Sequence, residues 1–509
     1  MSYKDQLSHL DRASSRSLTK QIADVFREAI SSGELTPGDK LPPTRELAEL
    51  ADVNHLTAAR AYRHLAELGC VSARVGAGTF VRGTGASVAG GSTVPPSRGA
   101  TSWQNFALPH ARGAYVESIL VDLFAGTEAG EDLIPLMTGY PTEEAFPADL
   151  LGGVTNDVLE RCGKSAWQYA PAEGLPELRE QLAELGRTDG MDDGPERVVV
   201  TTGARQALTL VARAVTQPGD VIACEAPSFA GVLRAIASAG ADVVGIPVDE
   251  DGLDVDALEQ LLARREIRML ALQPRIHNPT GRDLSPERRE RLSELAMRHG
   301  FFIVEDAIYA PLRFSGTDHG AMRPLAPDHT IYLHSLSKAL SPGLRAGWAV
   351  ASGPVLERIA QEKRADDMTS ATLPQLVAAE FLARGLWPAQ LERSIDLHRV
   401  RCDAMLEAID EHLTGVAELT YEPLGGGHVW VRTLQALDER LLYGEAVQHG
   451  VNFVPGGATV PGRPEDTFMR LSFSFLEPDA IREGVRRLGE AIRALSAVER
   501  PARMQLPLA

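Results

Sequence analysis

A chain of 509 residues is too long for one ordinary domain, and at about 150 residues per domain it is expected to hold about two to four. Its 44% hydrophobic content suits a large buried core, no run of about 18 apolar residues offers a membrane span, and the polar start MSYKDQLSHLDRASSRS predicts no secretory leader. The net charge of -18 argues against nonspecific polyanion binding by the whole chain, and four cysteines without a CxxC pair (Cys70, Cys162, Cys224 and Cys402) read as buried, reduced thiols of a cytoplasmic protein rather than disulfides or metal ligands.

The charge is unevenly spread. Residues 1–82 carry 11 Lys and Arg against 10 Asp and Glu, a net +1, whereas the remainder carries -19. A near-neutral module still binds DNA if its positive groups share one face, and the acidic remainder repels phosphates. Leu18, Ile22, Val25, Phe26 and Ile30 fall on one face of a helix. The segment GELTPGDKLPPT then breaks the chain with Gly and Pro. Thr44 is expected to cap a short helix, RELAELA; the turn DVN leads to a second helix, HLTAARAYRHLAEL, ended by Gly69. VSAR, a Gly turn and TFVR follow as a hairpin, which completes a winged helix-turn-helix. The second helix of such a motif enters the major groove and reads bases with its first residues, here Asn54, His55, Thr57 and Arg60. Arg45 opens the preceding helix within reach of a phosphate, and Arg74 and Arg82 flank the wing. The whole pattern, GELTPGDKLPPTRELAEL…TAARAYRHLAELG…VGAGTFV, resembles the GntR-type winged-helix domain across residues 16–82, although such domains usually carry Arg where this chain has His55.

Residues 83–104 are nearly all small, Gly or Pro and read as a flexible linker spanning about 25 Å as a random coil. The predicted organisation is therefore a DNA-binding domain at 1–82, a linker at 83–104 and a large domain at 105–509. In the large domain, β-rich apolar runs (RVVVTT, DVIACE, RMLALQP, FFIVEDAI and TIYLHSL) alternate with helical ones such as ARQALTLVARAV and FAGVLRAIASAG. That alternation predicts an α/β fold with a mostly parallel sheet covered by helices.

One short stretch, HSLSKALSPGLRAGW, sets Lys338 between serines and an arginine directly behind a strand. A lysine becomes a useful nucleophile when it forms a Schiff base with a carbonyl cofactor, and pyridoxal phosphate further needs phosphate donors, an acid at the pyridine nitrogen, donors at the phenolic oxygen and a ring stack. Each provision has a candidate. Ser335, Ser337 and Arg345 surround Lys338, and TTGARQA opens a helix whose amides at Gly203, Ala204 and Arg205 cradle phosphate. Asp306 follows a strand and can hold the pyridinium protonated. Tyr309 and Asn278, the latter presented by the Pro-Thr-Gly turn, donate to the phenolic oxygen, and Phe229 supplies an aromatic face.

These residues, in this order, resemble the fold-type I pyridoxal-phosphate-dependent aminotransferases over roughly residues 105–497, a fold with a smaller C-terminal α/β subdomain. The resemblance implies Lys338 as the Schiff-base lysine, Asp306 as the pyridinium partner, and Tyr309 as a further catalytic residue. It also implies that Tyr169, in WQYAPAEG, reaches the phosphate of the other subunit of a homodimer. Arg470, in MRLSFS, would hold the substrate α-carboxylate in a bidentate contact with Asn278 beside it; Thr202 stands where serine is common. Taken singly, each residue has a bland role as cap, turn or core filler; together they supply all the provisions, at strand ends where open α/β sheets bind ligands.

Three other patterns fail their own requirements. The S-x-x-K of Ser335 to Lys338 lacks the S-D-N and K-T-G of serine β-lactamases. DEDGLDVD has Gly252 fourth, not sixth as in a calcium loop, and reads as an acidic turn into a helix; no metal site is expected. GGGHVW at 425–430 reads as a tight strand entry. A GntR-like winged helix joined to an aminotransferase-like domain resembles the MocR group of bacterial transcription regulators. That resemblance implies a homodimer binding double-stranded DNA at an operator with two half-sites, in the bacterial cytoplasm and on the nucleoid when bound. Its large domain would sense an amino acid, an amine or a cofactor vitamer. A working aminotransferase carrying a DNA-binding module is the alternative, because Lys338, Asp306 and Arg470 are all retained.

Overall fold

The computed structural model describes residues 132–461 and 466–498 and, before them, residues 3–7, 10, 18–31, 35, 39–54, 57, 58, 61, 62, 65, 71–74 and 78–81. The linker at 83–104 and the residues His55, Arg60, Arg82, Cys70 and Gly69 lie outside these. The chain divides into two compact units, Met1–Ala111 and Arg112–Ala509.

The first unit has a helix at Leu18–Ser31, a second at Thr44–Leu50, helical residues from Thr57 on, and an antiparallel hairpin of β1 (Val71–Arg74) and β2 (Gly78–Val81). Ile22 and Phe26 are fully buried, with Ala23 and Ala29 beside them, against Leu41, Leu47, Ala58 and Leu65. Val25 is half-buried, so the packed stripe is centred between the large apolar residues and the small ones. The Tyr62 hydroxyl, buried, donates to the Pro42 carbonyl at 2.6 Å, which ties the second helix of the motif to the loop before the first. Leu41 and Val81 amides bond Thr79 and Asp39 carbonyls, so that loop also pairs with the wing. Thr44 is not the cap: Pro43 occupies that position without a side-chain bond, and Thr44 is the first helical residue, since Pro pre-sets the φ of a helix entry.

The second unit is built on an eight-stranded sheet. Its strands, in chain order, are β4 (Val198–Thr201), β5 (Val221–Ala226), β6 (Asp242–Asp249), β7 (Gly252–Leu253), β8 (Met269–Leu272), β9 (Phe302–Asp306), β10 (Thr330–Ser335) and β11 (Gly347–Val350), and their spatial order is β4-β11-β10-β9-β8-β5-β6-β7. The strands from β10 to β6 are parallel, while β11 runs against both its neighbours and β7 closes a hairpin on β6. All five predicted strands are present; β6, the short β7 and the antiparallel β11 are additional. Alternate residues feed two layers. Val199, Ile222, Val304 and Leu333 pack under the helices Ala204–Val215, Ala230–Ala239 and Pro354–Asp366, while Val200, Tyr332 and Trp348 face the other side. Both faces are covered, which is why these strands are continuous apolar runs. DEDGLDVD forms the β6–β7 hairpin, and Asp254 then caps the helix Val255–Leu262 through the amides of Asp256 and Ala257. The C-terminal part forms a second sheet, β12 (Ala417–Leu419), β13 (His428–Thr433), β16 (Phe468–Ser472) and β15 (Val454–Pro455), packed against the helices Trp387–Leu413 and Pro478–Val498, and β14 (Val451–Asn452) pairs in parallel with β3 (Ile134–Pro135). Among the described residues no helix is long and apolar enough to cross a membrane. Cys224 and Cys402 are buried free thiols and Cys162 is half-buried.

Arg323, 1% exposed, bonds both carboxylate oxygens of Asp193 at 2.6 and 2.7 Å and the Pro327 carbonyl at 2.7 Å. Removing one partner of such a buried pair strands the other charge. Arg323→Ala should therefore cost about 3–5 kcal/mol, read as a lower urea midpoint for the second unit.

Candidate functional site at the strand ends

Parallel registry builds the site. β9 ends at Asp306, and Leu272 of β8 pairs with Glu305, so Gln273 lies beside Asp306. The Gln273 side-chain amide donates to Asp306 Oδ2 at 2.9 Å, and the Ile308 amide donates to Oδ1 at 3.1 Å. Gln273 Oε1 accepts from the Asn278 amide at 2.9 Å, and its backbone amide donates to Glu225 at 2.8 Å. One residue thus orients both Asp306 and Asn278. Burial pushes the Asp306 carboxyl up to about 6, against the two hydrogen bonds that favour its ionised form.

The next element is a cradle. Gly203 has φ 137° and precedes the helix Ala204–Val215. A Cβ there would sit 3.0 Å from Arg345 Nη2, and one on Gly347 would sit 2.5 Å from Gly203 Cα, so two backbone segments meet with no room for side chains. Ser335 Oγ lies 2.8 Å from Ser337 Oγ and accepts from the Ser337 amide at 3.1 Å. Amides at a helix start, two hydroxyls and a guanidinium make an anion site. Thr202 serves the local fold: its amide donates to Gln206 Oε1 at 2.9 Å.

A cavity of about 550 Å³ joins the two elements. Gly203, Ala204, Arg205, Phe229, Asn278, Asp306, Tyr309, Ser335, Ser337, Lys338, Arg345 and Arg470 all line it. Lys338 Nζ donates to the Gly139 carbonyl at 2.6 Å and lies 5.3 Å over the Tyr309 ring. Arg205 lies 5.8 Å over Phe229. Arg470, 8% exposed, donates to the Met137 carbonyl at 2.9 Å and to Asn278 Oδ1 at 3.4 Å, while its Nε has no partner among the described residues. Burial lowers its guanidinium to about 10, so it remains a cation at neutral pH. Tyr169 does not line the cavity; its side chain is exposed, as are those of Trp167 and Tyr140.

Among the lining residues without an assigned role in the sequence are Gln273, Gly139, Arg234 and His428. Gln273 was visible only as the residue following a strand whose registry was unknown. His428 was visible only within GGGHVW, which does enter β13 as a tight turn. It is buried, its Nε2 lies 2.9 Å from the Tyr309 hydroxyl, and burial with Arg470 and Lys338 nearby holds its imidazole well below the usual value, hence neutral.

The residues present fit pyridoxal phosphate. The Gly203–Gly347 approach keeps open a cradle that any Cβ would fill, Asp306 is a buried carboxylate aimed into the cavity, and Arg470 Nε is a buried donor without an acceptor.

In the first unit, Arg45 is exposed on the first turn of its helix. Asn54 Oδ1 accepts from both the Thr57 amide, at 2.7 Å, and the Thr57 hydroxyl, at 2.9 Å. Asn54 is therefore the cap of the second helix, and part of the hydrogen-bonding capacity expected for bases is spent there. Arg74 ends β1; the other expected contacts, His55, Arg60 and Arg82, fall outside the described residues.

Residues 153–488 match the family Aminotransferase class I and II, and residues 18–81 match Bacterial regulatory proteins, gntR family. An aromatic-amino-acid aminotransferase of Thermococcus litoralis is 34% identical over 71% of this chain and 88% of its own. The probable rhizopine catabolism regulatory protein MocR of Rhizobium meliloti is 27% identical over 96% of both chains. The HTH-type regulator YdfD of Bacillus subtilis, uncharacterised, is 30% identical over 94% of this chain and 97% of its own. Among solved structures, the α-aminoadipate aminotransferase LysN of Thermus thermophilus, complexed with N-(5'-phosphopyridoxyl)-L-leucine, superposes with a TM-score of 0.71 at 34% identity, over 78% of this chain and all of its own.

Asp306 offers its negative charge to a cationic ring only above its own pKa. Affinity for the cofactor is expected to fall as the pH drops through about 6. Gln273→Leu removes a bond that favours the ionised carboxylate, so the midpoint of that loss should rise by about one unit, measured by cofactor titration between pH 5 and 8.

Proposed function

This chain belongs to the aminotransferase class I and II family and carries a gntR-family DNA-binding domain ahead of it, and from that premise we propose that it is a pyridoxal-phosphate-dependent transcription regulator whose large domain reports a small amine to its winged helix. The observation that carries the reading is the coexistence in one chain of a gntR-family domain and a cavity with every provision for the cofactor, in a chain similar over nearly its full length to the regulators MocR and TauR.

When bound, pyridoxal phosphate supplies an aldehyde that reacts with amines and an aromatic ring that withdraws electrons. The chain supplies everything else. Gly203, Ala204, Ser335, Ser337, Arg205 and Arg345 would hold the phosphate. Asp306 would offer a negative charge to the ring nitrogen, Phe229 an apolar face, and Tyr309 and Asn278 polar groups to the phenolic oxygen. Lys338 presents its amine from the turn directly after β10. Arg470 receives a carboxylate as a two-pronged donor, which selects amino acids and amines bearing an acid group.

The effector acts through linkage: it moves DNA affinity only by as much as it prefers one arrangement of the protein over another. A homodimer fits this role. Tyr140, Trp167 and Tyr169 are large aromatic side chains left 67%, 71% and 76% exposed, and a second copy would cover them and bring Tyr169 to the partner's phosphate. Two winged helices then read two half-sites, from a protein of the bacterial cytoplasm. The domains would be divided as residues 1–82, 83–104 and 105–509. A second reading, a working aminotransferase, is favoured by the retention of Lys338, Asp306 and Arg470 in one cavity.

A gel shift on the gene's own promoter region at a stated, moderate salt concentration should show specific binding, and an effector should change that affinity by about 5- to 150-fold. Absence of specific binding would remove the regulator reading. Steady turnover of an amino acid with a 2-oxo acid would instead support the enzyme. Lys338→Ala should abolish borohydride-fixed cofactor without unfolding the winged helix; cofactor still fixed in that variant would mean another lysine holds it.

A further inference from the structure

His428 is unlike every other histidine of the second unit in one respect: it enters the cofactor cavity and is bonded to a residue that works there. Its ring meets that of Tyr309 edge-on, with centroids 5.4 Å apart and planes at 76°, and Nε2 is 2.9 Å from the Tyr309 hydroxyl. The contact is made possible by Gly139, where a Cβ would approach His428 Cε1 to 2.8 Å. The other ring nitrogen, Nδ1, is buried without a partner among the described residues.

From this geometry, and resting on the reading of the cavity as a pyridoxal-phosphate site, we infer that His428 is a positioning residue: its Nε2–H donates to the Tyr309 oxygen, so that the phenol's own proton is directed into the cavity towards the phenolic oxygen of the cofactor. A neutral imidazole carries one N–H. Were it on Nδ1, that donor would be buried without an acceptor, and Tyr309 would have to spend its only proton on Nε2. Were it on Nε2, the bare Nδ1 lone pair would sit among cations, which favours it. The charged or titratable groups facing His428 are Arg470 from β16, Lys338 from the turn after β10 and His398 from the helix Trp387–Leu413; none is a carboxylate that would draw a proton to Nδ1. The imidazole therefore remains a single-proton donor, and Tyr309 becomes a one-way donor to the cavity.

A hydrogen bond to the phenolic oxygen of the cofactor stabilises its ionised form and lowers the pH at which the visible band of the lysine-bound cofactor changes from its protonated to its deprotonated form. That midpoint, read in the full-length loaded protein, tests the assignment. Tyr309→Phe should raise it by about one unit, the size expected for one hydrogen bond to a charged oxygen, and His428→Phe by a smaller part of that, because the tyrosine keeps its proton but loses the donor that orients and polarises it. The double variant should shift no further than Tyr309→Phe alone, because the histidine acts through the tyrosine. His428→Gln, whose amide can place an N–H near the same point, should return the midpoint to within a few tenths of a unit of the parent. His428→Leu replaces His428→Phe if the larger ring prevents folding, judged by circular dichroism. An unchanged midpoint in the apolar variants, additive shifts in the double variant, or a His428→Gln protein as displaced as His428→Phe would overturn the assignment. A parent protein with no visible band and no borohydride-fixed cofactor would overturn the cofactor reading beneath it.

Discussion

The registry of three parallel strands is the constraint on which the rest of the second unit depends. β8, β9 and β10 run side by side, so their last residues arrive at one edge together: Gln273 beside Asp306, and Asp306 one strand from the serines that precede Lys338. A slip of one residue in β9 would turn Asp306 to the opposite face and separate it from Gln273. The core enforces the registry. Alternate residues of the same strands are buried in two different helical layers, and each slip would bury the wrong set. The chemistry at the edge is thus held by hydrophobic packing some distance below it.

Around that edge the chain accepts several buried polar groups and satisfies most of them locally. Gln273 spends its side chain on Asp306 and Asn278 and its backbone amide on Glu225. Two groups left without partners among the described residues are informative in a different way. Arg470 Nε and His428 Nδ1 are both buried in the cavity wall. In a well-packed protein such groups are costly, and the guanidinium is the kind of donor that waits for a ligand.

Much of this was legible in the sequence, because many residues that line the cavity sit in short motifs at strand ends and each motif carries its own turn chemistry. Gly203, Asp306, Asn278 and Lys338 could be read that way, and so could the winged helix, whose turns are marked by Gly and Pro. What escaped is what depends on the third dimension. Gln273 has no motif; it matters because of which strand lies next to it. His428 comes from a different sheet, some 120 residues after Tyr309, and only folding brings them to hydrogen-bonding distance. Thr44 was assigned one position away from the cap, and Asn54 has a capping bond that the sequence reading did not name, for a local reason: several residue types can begin a helix, and a side chain that caps one is engaged before any partner arrives.

Gly139 is gripped from both sides: its carbonyl takes the amine of Lys338, while the space a side chain would need is filled by the His428 ring. Its neighbours Met137 and Tyr140 offer their carbonyls to Arg470 and Ser474. The stretch from 137 to 141 is therefore a strap laced to both sheets, and one of its laces is the Lys338 amine. Whenever that amine is engaged elsewhere the carbonyl of Gly139 must find water or another donor, and the occupancy of a single side chain becomes a mechanical event felt where the two sheets are sewn together.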